Sequence, residues 1–128
     1  MKKVVTCLLL LTSVATQAQT RDASTQCFDK ATTLEQKSNC YQTEIVKEKK
    51  RLNAAYNRLI KDRDPASLVA LNQSQKDWIK WRDENFNFLT EQVAGEAETV
   101  FVIGDGFLLD AITSQANLLE SVAAAEGR

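Results

Sequence analysis

The stretch that most constrains the fold is Leu68–Leu89, LVALNQSQKDWIKWRDENFNFL, together with the Asp64-Pro65 pair that opens it. Asp is a good helix N-cap, and Pro suits the first helical position because the N–H it lacks would have no partner there. Leu68, Leu71, Gln75, Trp78, Arg82 and Leu89 follow at steps of three, four and seven, which places them on one helical face. Trp81 and Phe88, seven positions apart, lie beside this stripe and are expected to widen the apolar face. On this reading Trp78 is a core residue, and Trp78→Ala would cost about 3–5 kcal/mol. Gln75 and Arg82 interrupt the stripe. A buried amide or guanidinium is costly unless its donors are used. These two groups therefore either bond to something specific inside the protein or point at something outside it.

The neighbouring segments are helical too. Tyr41–Asp62 places Tyr41, Ile45, Leu52, Tyr56, Leu59 and Ile60 on one face, with Lys47, Glu48, Lys49, Lys50 and Arg51 on a solvated face opposite. The tight polar connection Lys61–Pro65 predicts an antiparallel hairpin with the second helix, which runs from Pro65 to about Gln92. Upstream, Thr33 and Gln36 have the spacing of a capping box and predict a short helix between Cys27 and Cys40. Downstream, Leu108, Ile112, Leu119 and Val122 mark a third helix over Phe107–Ala125, with Gln115 as a polar interruption and a tail, Ala123–Arg128, expected to fray. Between the second and third helices, Val93–Gly106 holds three of the four glycines. Its Val100–Ile103 run reads as a short strand or an apolar plug. A lone strand has no edge to pair with, so a loop that packs Phe101 and Ile103 inward is expected. The predicted fold is all-α: a helix hairpin, a short N-terminal helix and a C-terminal helix.

Met1-Lys2-Lys3, the apolar run Val4–Val14 and the small residues Thr16 and Ala18 form a secretory signal peptide, residues 1–18. Residues 19–26 are polar, without periodicity, and are read as flexible. Residues 27–125 are then one small domain. Export leaves two cysteines, Cys27 and Cys40, which most simply pair with each other; the alternative is two free thiols. A bridge across 13 positions contributes about 3 kcal/mol in the loop-entropy model. The charge is uneven. Residues 47–82 carry ten basic and four acidic groups, whereas residues 83–128 carry nine acidic groups and one basic. A basic partner would be drawn to the C-terminal third, less so at high salt.

The chain contains no histidine, so the usual general base, the Ser-His and Cys-His pairs and the common metal sets are missing. Asp83 and Glu84 are adjacent and point about 100° apart on a helix, so they do not converge on one substrate atom. No phosphate-binding glycine loop follows a strand. Neither catalysis nor a metal or cofactor is expected. An exported chain seldom meets nucleic acid, so the basic run at 47–51 is read as a solvated face. Binding is the default function, in the periplasm or outside the cell.

Cys27, Ala31, Thr32, Glu35 and Cys40, then Leu52-Asn53-Ala54-Ala55-Tyr56, then Leu71, Gln75, Trp78 and Arg82-Asp83 resemble the LprI-type lysozyme inhibitor family of small exported helical domains. Family members commonly carry two further cysteines, which this chain lacks. The resemblance implies an inhibitor of a peptidoglycan-cleaving enzyme, most simply a basic, lysozyme-like hydrolase. The segment Gly95–Gly106, with Glu96, Glu98 and Asp105, is the candidate partner-binding loop. Leu52, Asn53, Tyr56, Gln75, Trp78, Arg82 and Asp83 are expected to hold the hairpin together, with Arg82 bridging Asp83 or a carbonyl of the neighbouring helix. Two rivals remain open: an immunity protein against a toxin delivered to the periplasm, and a non-inhibitory structural module of the envelope.

Overall fold

The computed structural model describes residues 23–128; the signal peptide expected at residues 1–18 lies outside them. Four helices follow in order: α1, Ala23–Lys30; α2, Leu34–Ile60; α3, Pro65–Asn87, continued by a π-helical turn over Phe88–Gln92; and α4, Ala97–Ala125. There is no strand among the described residues, and the architecture is all-α.

Local chemistry sets most of the boundaries. The Thr33 hydroxyl accepts from the Gln36 N–H at 3.2 Å, and the Gln36 side-chain oxygen accepts from the Thr33 N–H at 3.3 Å. This capping box begins the long helix α2 itself, not a separate short helix. Nothing between Gln36 and Tyr41 breaks a helix, so α2 starts seven residues earlier than its apolar face suggested. The short N-terminal helix lies upstream of Thr33, and it takes in Ala23–Gln26, part of the segment expected to be flexible. Asp64 caps α3 by accepting from the Ser67 N–H at 2.9 Å, with Pro65 in the first turn. The turn between α2 and α3 is made by Asp62 at φ 54°, a left-handed conformation that Asp tolerates. The C-terminus of α4 is closed by hydrogen bonds where a frayed tail was expected. Gly127 takes φ 70°, the Gly127 N–H donates to Ala124 O and the Arg128 N–H to Ala123 O, which is the Schellman closure.

The cross-chain bonds give the topology. Asp105 meets Ser38 and Gln42, Glu120 meets Arg51, and Glu126 meets Arg63, so α2 and α4 run parallel. Tyr56 meets Asn72 and Gln75 meets Gln115, so α3 runs antiparallel to both and forms the predicted hairpin with α2. The core sits between α2 and α4. Ile45, Leu59 and Ile112 are its largest fully buried side chains, each contributing about 2 kcal/mol by removal from water. Ala55, Ala111, Ala116 and Ala123 are buried around them, and such small residues let the two helix backbones approach closely. Cys27 and Cys40 form a disulfide with their Cα atoms 5.8 Å apart. It pins α1 to α2, and the Phe28 ring packs edge-on against Tyr41 at 4.7 Å.

Two expectations are corrected here. The segment 93–106 is not a loop. Only the short connection at 93–96 is irregular, and α4 begins at Ala97. Gly104 lies inside the helix because a side chain there would strike the end of α3 and its π-turn: a Cβ at this position would come within 2.7 Å of Thr90 Cγ2 and 2.9 Å of Phe86 Cε2. A mid-helix glycine costs about 1 kcal/mol relative to alanine, and here it permits the end of α3 to dock on α4. The second correction concerns α3, none of whose residues is fully buried. Trp78 is half-buried, while Trp81 and Phe88 are 48% and 58% exposed. They do not widen a core face.

Candidate functional site

The two groups of residues singled out in the sequence fall in different places. Of the three acids assigned to a loop, Asp105 is withdrawn as a partner contact. It is 6% exposed, and both its oxygens are engaged by α2: Ser38 Oγ donates to Oδ2 and Gln42 Nε2 to Oδ1, each at 2.6 Å. It fastens the start of α4 to the start of α2. Glu96 is the N-cap residue of α4 without a side-chain capping bond, Glu98 lies in the first turn, and both are exposed. Carboxylates are favoured at that position by the positive end of the helix dipole.

Because α2 and α4 run parallel, their N-termini meet at one end of the bundle, where α3 also finishes. The exposed carboxylates of Glu35 on α2, Glu91 in the π-turn, and Glu96 and Glu98 on α4 lie at this pole. A groove of about 340 Å³ opens between the two N-termini, lined by Leu34, Glu35, Ser38, Asn39, Glu98, Phe101 and Val102. Phe101 is 55% exposed; it is not tucked inward as expected of a plug. The opposite end, where α2 and α4 finish, carries charges of both signs: Arg58, Lys61, Asp62 and Arg128 lie together, and Glu126 pairs with Arg63 and Arg128.

The family-motif residues are only partly gathered. Leu52, Asn53 and Tyr56 of α2 and Gln75 and Trp78 of α3 line one groove of about 450 Å³, completed by Asn72, Lys76 and Ile79. Arg82 and Asp83 stand apart from it. Arg82 donates from Nε and Nη2 to its neighbour's Oδ1 at 2.8 and 2.6 Å, and its guanidinium lies 5.1 Å from the Trp78 ring centroid. Across the groove the Tyr56 hydroxyl donates to Asn72 Oδ1 at 2.5 Å. Gln75 is half satisfied: its Oε1 accepts from Gln115 Nε2 at 3.3 Å, while its own Nε2 is closed off from solvent with no acceptor. A donor left in that state costs about 1–3 kcal/mol. On the far side of α3, Trp78 and Trp81 face Phe107, Asp110, Ala111 and Leu118 across a second, shallow groove, with the Trp81 and Phe107 ring centroids 5.7 Å apart.

Sequence reasoning missed Arg51, which was assigned to the solvated face. Its Nε and Nη2 each donate to Glu120 at 2.9 Å, its Nη1 donates to Glu48 at 2.6 Å, and its Nη2 also reaches Asn117. The bonds to Glu120 hold the Arg51 guanidinium more firmly protonated than usual and lower the Glu120 carboxyl. The Glu48–Arg51 spacing was visible in the sequence, but the partner on α4 was not. Asn72 and Lys76 were also missed, since neither interrupts an apolar stripe.

The lysozyme inhibitor LprI family matches residues 26–119 of the chain. The chain belongs to this family. Neither a curated protein nor a solved structure matches it. The matched span of the LprI family reaches from just before Cys27 to Leu119, and so takes in the disulfide, the motif groove and the acidic pole. No helix among the described residues is long and apolar enough to cross a membrane.

Proposed function

We propose that this chain is an exported protein that binds and inhibits a basic, peptidoglycan-cleaving hydrolase of the lysozyme type, and that it acts by occupying a surface of that enzyme without itself making or breaking bonds. Membership of the LprI family over residues 26–119 carries the reading. On this proposal residues 1–18 are removed on export, the remainder works in the periplasm or outside the cell, and residues 27–125 form the single binding domain. The contact surface is the acidic pole. Glu35, Glu96 and Glu98 would steer a basic partner, and the exposed ring of Phe101 would supply the apolar anchor that interface centres favour.

The test is cell-wall lysis by lysozyme in the presence of purified residues 19–128. Near-stoichiometric slowing is expected, weaker at high salt, where exposed charges more than about 10 Å apart are screened. Glu96→Lys with Glu98→Lys should weaken inhibition by about tenfold or more, largely through a slower association rate. Full-strength lysis at low salt would remove the lysozyme reading. Recovery of a delivered toxin in a pull-down would instead favour the immunity role of the same surface.

A further inference from the structure

We propose that the groove between α2 and α3 is a second binding site, separate from the acidic pole, whose ligand is an N-acetylated sugar bearing a carboxylate. Its volume of about 450 Å³ is within the range of small-ligand sites. Three carboxamides face it, Asn53 from α2 and Asn72 and Gln75 from α3. Each carries a donor and an acceptor side by side, the pattern that meets vicinal hydroxyls and an acetamido group. Tyr56 holds the Asn72 oxygen at 2.5 Å, which orients that carboxamide and leaves its nitrogen for a ligand. Gln75 has its Oε1 taken by Gln115 and its Nε2 closed off from solvent, so a ligand is met by Asn53 and by the Asn72 nitrogen. The Trp78 indole adds a flat apolar wall against which the C–H face of a pyranose ring packs.

The charge of the site selects among sugars. Lys76 is the one charged residue lining the groove, and no carboxylate lines it, so an anionic ligand meets attraction and no repulsion. The mixed lining argues against a core-like seam, which would place apolar residues at positions 53, 72 and 75.

The groove can be read without involving the hydrolase. The chain has two tryptophans, so Trp81→Phe leaves Trp78 as the sole reporter. Titrating this variant with N-acetylmuramic acid should give a saturable change in emission. Neutral N-acetylglucosamine should bind about tenfold more weakly, the loss expected from one charge-assisted contact. Lys76→Gln should erase the difference between the two sugars, and Asn53→Ala should weaken both by up to about tenfold. Calorimetry on the unsubstituted chain repeats the measurement should Trp81→Phe disturb folding. Absence of saturation with N-acetylmuramic acid in both formats would overturn the assignment, as would binding that Lys76→Gln and Asn53→Ala leave unchanged. Inhibition of lysozyme enters neither outcome, so this proposal and the preceding one fail separately.

Discussion

Helices α3 and α4 make opposite use of similar lengths of chain. α3 has a side-chain N-cap and a proline in its first turn, yet none of its 23 residues is fully buried. α4 contains two mid-helix glycines and an aspartate near its start, yet nine of its 29 residues are buried. The difference teaches that periodicity states which face a helix will turn inward, while side-chain size decides how closely it can come. α4 presents Leu119 and Ala123 to Ala55 and Leu59 of α2, with Ala111 and Ala116 also buried on it, and backbones faced with alanine can approach. α3 presents Gln75, Trp78 and Arg82. These are bulky or polar, and they hold the helix off, with a groove on each side of it. Only Leu71 of α3 is packed against the main apolar cluster, together with Leu52 and Tyr56 of α2.

The comparison breaks most directly at Ile112, which is fully buried. Ile112→Ala should cost about 3–4 kcal/mol and lower Tm by more than about 10 °C. Trp78→Ala, in half-buried α3, should cost only about 1–2 kcal/mol. If thermal denaturation ranked the two the other way, α3 and not α4 would be the central helix. Next comes the junction between them. Gly104→Ala gains up to about 1 kcal/mol of helix propensity but forces apart groups already in contact, for a net loss of about 1–2 kcal/mol. The Thr90 methyl cannot simply swing away, because its hydroxyl donates to Phe86 O at 2.9 Å. Thr90→Ser in the Gly104→Ala background should therefore restore part of the loss, and a stabilised single variant would show that the π-turn does not dock there.

The smallest effect concerns the polar clamp on α4. The Arg51 guanidinium depresses the Glu120 carboxyl below its ordinary value of 4.5. A carboxyl depressed on folding stabilises above its unfolded value, and the contribution is lost as pH falls through the folded one. Stability should thus decline below about pH 4.5, with Glu120→Gln flattening that decline. Because the pair is about one-third exposed, the flattening should amount to no more than about 1 kcal/mol. Denaturant midpoints measured from pH 6 to 3 check it.

Much of the fold was legible because it is written in neighbouring residues. The Asp64-Pro65 start, the Thr33–Gln36 box, the hairpin turn and the pairing of Cys27 with Cys40 rest on bonds spanning at most 13 positions. Less of the candidate site was legible. Glu96 and Glu98 were found and are exposed, but Asp105 was misplaced, because its two donors lie 67 and 63 positions away on α2. Glycines at 104 and 106 read as a loop because the sequence does not show Phe86 and Thr90 resting on one of them.

The amino-acid order alone settled that this chain is helical, that Thr33 and Asp64 begin helices, and that negative charge gathers in its last third, and it made a Cys27–Cys40 bridge the simplest reading of two cysteines. Those properties follow from backbone geometry, short-range hydrogen bonds and composition. Only the packed molecule decided which helix is enclosed, that Glu35, Glu91, Glu96 and Glu98 share one end of the bundle, and that three carboxamides line a common groove. Each of these depends on how closely side chains from distant segments allow two backbones to approach, and chain position does not encode that distance.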